Sequence, residues 1–340
     1  MALDTSDLEF VVTCLKYQII SENAIAFRNA VPFVWIGTGL AKIAASYGSV
    51  RLHQLTGRPS WFVTPLQFCQ STAQLCIPVL VSLRGANTDV IDTASYIRQQ
   101  QPSQAVLITT DPTGRAAEQL KGSKTETFLT SLPLPPRDKR FVNLKSVIAL
   151  SALAQAFVRL VAHDLAPPRI DENALVAIFE RTSRLAAETA LHISGSVDWQ
   201  KHHCVILTDG SASPLALTWS SLLAESGVAT ASVGDLKDYT HGDHTAAILH
   251  GNVRFVVLRH TSTAISSDLF SQRLSTRLQV SVIVLKHSGD MLFWENLLYA
   301  AGVVSALSHV LGFQGSRPPR DPEVHQWRDW GSVRYQDDRE

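Results

Sequence analysis

Several stretches of this sequence bring together residue types that could do chemistry. The densest is Gly234-Asp235-Leu236-Lys237-Asp238-Tyr239-Thr240-His241-Gly242-Asp243-His244, with two histidines, three carboxylates and a lysine. A histidine beside glycine and backed by acids can be tuned to carry protons near neutral pH. The spacing of His241, Asp243 and His244 also admits a metal ion, though no cysteine joins them. A polar loop with exposed imidazoles uses the same residues. The reading taken here assigns no resident metal and no cofactor. Glu225 closes the helical pattern that precedes this run. A carboxylate is disfavoured at a helix C-terminus. Proton abstraction beside a carbonyl is one reason to find it there, and an ordinary surface acid is the other.

Three further stretches are loops of glycine, serine and threonine set between a predicted strand and a predicted helix. They are Gly37-Thr38-Gly39, Ser82-Leu83-Arg84-Gly85-Ala86-Asn87-Thr88 and Thr208-Asp209-Gly210-Ser211. Such loops aim backbone N–H groups and the positive end of a helix at one point, which suits a phosphate or another anion. None matches the dinucleotide or nucleoside-triphosphate fingerprints. Arg84 is the informative residue of the second loop. A guanidinium beside a helix N-terminus is repelled unless an anion lies between them, or unless it points to solvent or pairs with Asp89.

Positioning these groups requires strands that end where the loops begin. Short apolar runs predict strands at Phe33–Ile36, Ser60–Val63, Pro78–Ser82 and Gln104–Thr109 in the first half. In the second half they predict Cys204–Thr208, Ala229–Val233, Arg254–Arg259 and Val280–Lys286. Nearly all-apolar strands alternating with helical patterns point to βαβ units with both sheet faces covered. Asn87, Thr88 and Asp89 offer N-cap oxygens to a helix carrying Val90, Ala94 and Ile97 on one stripe. Ser211 and Ser213 can cap a second helix, Pro214 suits its first turn and Gly227 its end.

The two halves repeat one another at a period of roughly 170 residues, too long for a solenoid and right for a duplicated domain. The fold class predicted is α/β: two tandem flavodoxin-like units, each a parallel sheet with helices on both faces. Residues 1–165 are expected to form the first, 166–314 the second, and 315–340 a C-terminal arm docked on a surface. The joint falls at the helical pattern Val147–Ala162 and the Pro167-Pro168 segment.

Composition narrows the function classes. The chain has 340 residues, with 30 basic and 30 acidic side chains and no net charge. The nearest thing to a basic run, Arg137-Asp138-Lys139-Arg140, is broken by an acid, so nucleic-acid binding is not expected. Apolar residues reach 45% and charged ones only 18%, enough for large cores and for a subunit interface. Cys14, Cys69, Cys76 and Cys204 show no Cys-x-x-Cys spacing and read as reduced, buried thiols of a cytoplasmic protein. The acids at Asp4, Asp7 and Glu9 argue against a signal peptide. Val147–Ala162 is interrupted by Ser151, Gln155 and Arg159 and reads as a buried helix, so no membrane association is expected.

Taken together, these segments resemble the SIS (sugar isomerase) domain family, in the double-SIS form found in the isomerase half of glucosamine-6-phosphate synthase. The likeness is carried by Gly37-Thr38-Gly39, Thr64-Pro65-Leu66-Gln67-Phe68, the Ser82–Thr88 loop and Thr110-Asp111-Pro112. In the second half it is carried by Ala224-Glu225-Ser226-Gly227 and the run from Asp235 to His244. It spans about Ile20 to Gly315.

The resemblance implies that Gly37, Thr38, Gly39, Ser82, Arg84, Asn87 and Thr88 hold the phosphate of a sugar phosphate. Gly210, Ser211 and His244 are further binding candidates. Glu225 takes the position of the base that moves a proton between C1 and C2. His241 takes that of the ring-opening histidine, which in the synthase reaches the partner subunit's site. The implied function is aldose–ketose isomerisation, or a related deglycase or deaminase reaction, through an enediol(ate). The alternative is a catalytically silent sugar-phosphate or nucleotide sensor. The resemblance, the low charge and the tail with Trp327 and Trp330 imply a homodimer or higher homo-oligomer.

The sequence also departs from that pattern. Leu83, Arg84 and Ala86 replace Gln, Ser and Glu in the phosphate loop, and Leu222 replaces a lysine one turn before the base. Asp243 replaces the proline after His-Gly, and no lysine follows Lys286. Amination of fructose 6-phosphate is therefore not expected.

Overall fold

Strands β1 (Phe33–Ile36), β2 (Ser60–Val63), β3 (Ile77–Ser82), β4 (Gln104–Thr109) and β5 (Glu126–Ser131) form one parallel sheet in the order β2-β1-β3-β4-β5. A second parallel sheet has the order β7-β6-β8-β9. It comprises β6 (His203–Thr208), β7 (Ala231–Asp235), β8 (Val253–His260) and β9 (Val280–Leu285). The computed structural model describes residues 5–15, 27, 31–71, 73–121, 125–132, 144–162, 172–194, 203–208, 213–236, 239, 253–260, 280–287 and 289–310.

The helices alternate with the strands. They are α1 (Thr5–Leu15), α2 (Ala41–Thr56), α3 (Pro65–Cys69), α4 (Thr88–Gln100), α5 (Arg115–Leu120) and α6 (Leu144–Val161), then α7 (Glu172–Ser194), α8 (Ser213–Glu225) and α9 (Gly289–Val310). Two compact units result, one holding β1 to β5 with α2 to α6 and the other β6 to β9 with α7 to α9. The expected arm, 315–340, lies outside the described residues. The α/β class of two tandem units with parallel sheets flanked by helices is the one the structure has.

In the first unit the central strands β1, β3 and β4 are buried throughout because both faces are packed. Phe33, Trp35, Val79 and Val81 bury against α2 and α6, where Leu52, Leu153 and Phe157 meet them. Val34, Ile36, Leu80 and Leu107 bury on the other side against Phe68, Val90, Ile97, Ala116 and Leu120. The Phe157 ring meets Trp35 edge-on at 5.8 Å between centroids. Trp35 Nε1 donates to Ser60 Oγ at 3.1 Å, so the indole ties β1 to β2.

Two local expectations shift. β5 is not among the predicted strands, because its alternation of Glu126, Thr127 and Thr130 with Phe128 and Leu129 hides an edge strand that need not be apolar throughout. Its first residue is fixed by Gln104 Nε2 donating to Glu126 Oε2 at 3.0 Å. The strand predicted at Ala229–Val233 starts at Ala231 instead. The amides of Val228 and Ala229 still donate to Leu223 O while Gly227, at φ 68°, closes α8.

Both α6 and α9 are long and apolar enough to cross a membrane by length and composition alone. Each is mostly buried within the fold, as core helices are. Asn296 holds α9 to α8, accepting from Trp219 Nε1 at 3.0 Å and donating to Leu215 O at 3.2 Å.

Candidate functional site

In a doubly wound sheet the strand order reverses at one point, and a crevice opens there outside the carboxyl ends of the strands. In the first unit that point lies between β1 and β3, since β2 is added on one side of β1 and β3, β4, β5 on the other. The loops leaving β1 and β3 are Gly37–Leu40 and Leu83–Asn87. The sequence-predicted residues Gly37, Thr38, Gly39, Ser82, Arg84, Asn87 and Thr88 are thus brought to one crevice by strands that are direct neighbours.

Neither helix starting there has a side-chain cap. At α2, Leu40 occupies the N-cap position and no side chain caps the helix. At α4 the N-cap is Asn87, as the sequence suggests, but its side chain makes no capping hydrogen bond. No described residue accepts from the amides of Thr38, Gly39 and Leu40, or from those of Arg84, Ala86, Asn87, Thr88 and Asp89. By contrast α3, outside the crevice, has a full capping box in which Thr64 and Gln67 satisfy one another's amides. At α2 the amides of Ala41, Lys42 and Ile43 turn back to Thr38 O, Gly39 O and Leu40 O, so the open amides there are those of the loop itself; with the open first-turn amides of α4 they make an arrangement that can hold an oxyanion.

The β3 loop is held rigid from β4. Leu83 O accepts from Thr110 N (2.9 Å), Thr110 Oγ1 (2.6 Å) and Thr109 Oγ1 (3.1 Å). Ser82 Oγ accepts from Gly85 N at 3.1 Å, and Gly85 O accepts from Ala116 N at 3.0 Å. Gly85 sits at φ 60°, a conformation that favours glycine. Gly114 is required for another reason: a Cβ there would lie 2.2 Å from Arg84 O. The Leu83 and Gly85 carbonyls are therefore turned to β4 and α5, while the amides of Arg84, Ala86 and Asn87 stay open. Asp111 takes part in the same clamp, its Oδ1 accepting from Thr113 N at 3.0 Å and Thr113 Oγ1 at 2.8 Å. Arg84 is exposed, and among the described residues it forms no pair with Asp89.

The second unit places the remaining candidates differently. Glu225 is exposed in the last turn of α8. Because α8 returns from the carboxyl end of β6 to the start of β7, Glu225 lies at the amino edge of that sheet; five residues on, Thr230 O accepts from Cys204 N. Asp235, where the acidic and histidine-rich run begins, lies at the opposite edge, level with Thr208 in the ladder. About 15 Å of strand separates the two edges. Gly210, Ser211, His241 and His244 lie outside the described residues. Among the described residues no group of three or more metal-ligating side chains could hold a metal ion.

One polar cluster escaped the sequence reading. Glu295, 3% exposed, accepts from Arg181 Nη1 at 2.8 Å and from the amides of Lys286 (2.8 Å) and His287 (3.0 Å). His287 Nδ1 lies 3.1 Å from the same carboxylate. The cluster joins α7, the end of β9 and α9 around a cavity no larger than about 10 Å³, room for at most a water molecule. Its signal was an acid and an amide, Glu295 and Asn296, inside an otherwise apolar helix. The Glu295 carboxylate is satisfied by Arg181 and two amides, which marks a structural tie.

No family model and no curated protein sequence matches the chain. Solved structures do. The C-terminal domain of glucosamine-fructose-6-phosphate aminotransferase from Francisella tularensis is 14% identical, with a TM-score of 0.69 over 90% of this chain and 94% of its own. The fold of that domain is the one this chain has, as the sequence resemblance implied. Tagatose-6-phosphate ketose/aldose isomerase from Escherichia coli is 14% identical, with a TM-score of 0.64 over 93% and 92% of the two chains. Glucosamine-6-phosphate deaminase from Thermotoga maritima is 13% identical, with a TM-score of 0.62 over 93% and 98%. At these identities the likeness is one of fold.

Proposed function

We propose that this protein binds a sugar phosphate, with the phosphate seated on the open amides of the loop after β1 and of the start of α4, and that it is an aldose–ketose isomerase or a related deglycase or deaminase. The observation that carries this reading is the meeting, at the β1/β3 crevice, of the open amides of Thr38, Gly39 and Leu40 with the uncapped start of α4, while the Leu83 and Gly85 carbonyls are tied to β4 and α5. The solved structures that share the fold include enzymes named for phosphosugars, which supports the same ligand class.

In the proposed reaction Glu225 takes the proton from one of the two carbons C1 and C2 and returns it to the other. A donor at the ring or carbonyl oxygen, proposed to be His241, stabilises the enediol(ate) between these steps. Because Glu225 and Asp235 lie on opposite edges of their sheet, this pairing calls for His241 from a second copy of the chain, and a homodimer is proposed with it.

A second reading has its own observation. Leu222, one turn before Glu225, is buried and apolar, whereas the resembled enzymes carry a lysine at that place. A sensor that binds the phosphosugar without turning it over would need no such cation. Proton exchange at C1 of fructose 6-phosphate in deuterated water, followed by NMR, separates the two. Exchange that Glu225→Gln abolishes supports the enzyme; thermal stabilisation with no exchange supports the sensor.

A further inference from the structure

One face of the first sheet ends, at its carboxyl edge, in a level row of three residues. The ladders set Ser82 opposite Thr109 and Thr109 opposite Ser131, so Leu83, Thr110 and Leu132 stand side by side one residue beyond β3, β4 and β5. Side chains alternate along a strand. Val81 and Ile108 belong to the core under α2 and α6, and Leu83 and Leu132 pack against that same core. The Thr110 hydroxyl is already committed, donating to Leu83 O at 2.6 Å.

The row is only partly covered. Val81 and Ile108, two residues deeper, have no exposed surface, whereas Leu83 and Leu132 keep part of theirs open. Ala41, in the first turn of α2, packs against the same core and is also partly open. Neighbouring strands lie about 4.8 Å apart, so the two leucines bound an apolar shelf about 10 Å wide. It starts in the proposed phosphate cradle, because Leu83 directly precedes the open amide of Arg84. It runs from there towards β5. Leu83 stands where the resembled enzymes carry a glutamine. Apolar surface beside a crevice gains nothing from a sugar hydroxyl and gains free energy from a hydrocarbon group that displaces its water.

We infer that Leu83 and Leu132 set the specificity of the proposed site, so that its ligand is a phosphosugar carrying an apolar substituent, an acyl chain, across the ring from the phosphate. The inference deepens the proposed function and rests on its phosphate cradle.

Calorimetric titration tests it with four probes: inorganic phosphate and the N-acetyl, N-propanoyl and N-butanoyl derivatives of glucosamine 6-phosphate. The three sugars differ only in the number of methylenes, with charge and phosphate held constant. Each added methylene should tighten binding about threefold. Leu132→Asn and Leu83→Gln should each flatten that series, and Leu132→Met, which keeps the volume apolar, should preserve it. Melting temperatures check that the variants fold, and the series on the unaltered protein decides the matter without them. Inorganic phosphate that binds while the three sugars share one affinity, or fail to bind, overturns the shelf and leaves the cradle standing. A gain per methylene that survives in both Leu132→Asn and Leu83→Gln overturns the assignment to these leucines. Binding of none of the four probes overturns the cradle and the shelf together.

Discussion

Replacing Gly114 by alanine tests whether contacts from β4 and α5 set the loop after β3, where the phosphate is proposed to sit. Gly114 has φ −66° and ψ 161°, which any residue adopts, so the backbone itself is not strained by the change. The whole cost is steric. The new Cβ would sit 2.2 Å from Arg84 O, 3.2 Å from Arg84 C and 3.4 Å from Asp111 O. Restoring ordinary contact moves the Arg84 peptide by about 1 Å, and overpacking of this kind costs about 1–3 kcal/mol. For a domain of this size that is about 2–10 °C in melting temperature. A displacement of about 1 Å in a binding loop can cost up to about a hundredfold, and a loss of at least tenfold in phosphate affinity is expected here. Thermal denaturation with and without inorganic phosphate and fructose 6-phosphate reads both quantities. Gly57→Ala is the control: at φ 67°, with nothing within 4 Å of its Cβ, it adds about 1 kcal/mol of backbone strain and should leave ligand affinity alone. A Gly114→Ala protein that binds within twofold of the parent would refute the argument that the loop is held from β4.

Other outcomes follow from the same structure. Burial raises the thiols of Cys14 and Cys204 to about 12 and of Cys76 to about 11, from an ordinary 9.0. Folded thiols keep their protons where unfolded ones lose them. Stability is therefore full below about pH 9 and falls above it, by up to about 1.4 kcal/mol per pH unit for each thiol. Urea melts across pH 8 to 11 check the slope, and Cys204→Ala should flatten it. Glu295→Ala strands Arg181 and two amides; with Arg181 partly exposed, the loss should be about 3 kcal/mol, at the low end for a broken buried pair, measured by urea denaturation. Light scattering at micromolar concentration should give the mass of a dimer or larger, and a monomer would contradict the proposed shared site.

The fold was legible where burial makes residues uniform. Phe33–Ile36 and Gln104–Thr109 are buried on both faces, so their apolar runs mark the strands to the residue. β5 was not legible, because an edge strand carries Glu126 and two threonines without penalty. The strand-end loops were legible from their glycine, serine and threonine. Their openness was not: Asn87 looks like a capping residue, and only coordinates reveal that its side chain does not cap. The clamp from Thr109, Thr110 and Gly114 was hidden for a different reason. It depends on contacts between loops about thirty residues apart, which no local pattern encodes. Glu225 stands where the sequence put it, at a helix end, but its position on the edge away from Asp235 follows from topology.

Backbone amide shifts during titration with inorganic phosphate probe the cradle most directly. The account predicts that the largest changes fall on Thr38, Gly39 and Leu40 and on Arg84, Ala86, Asn87 and Thr88, saturating together with one affinity. Shifts that leave both groups unmoved while other residues saturate would contradict it.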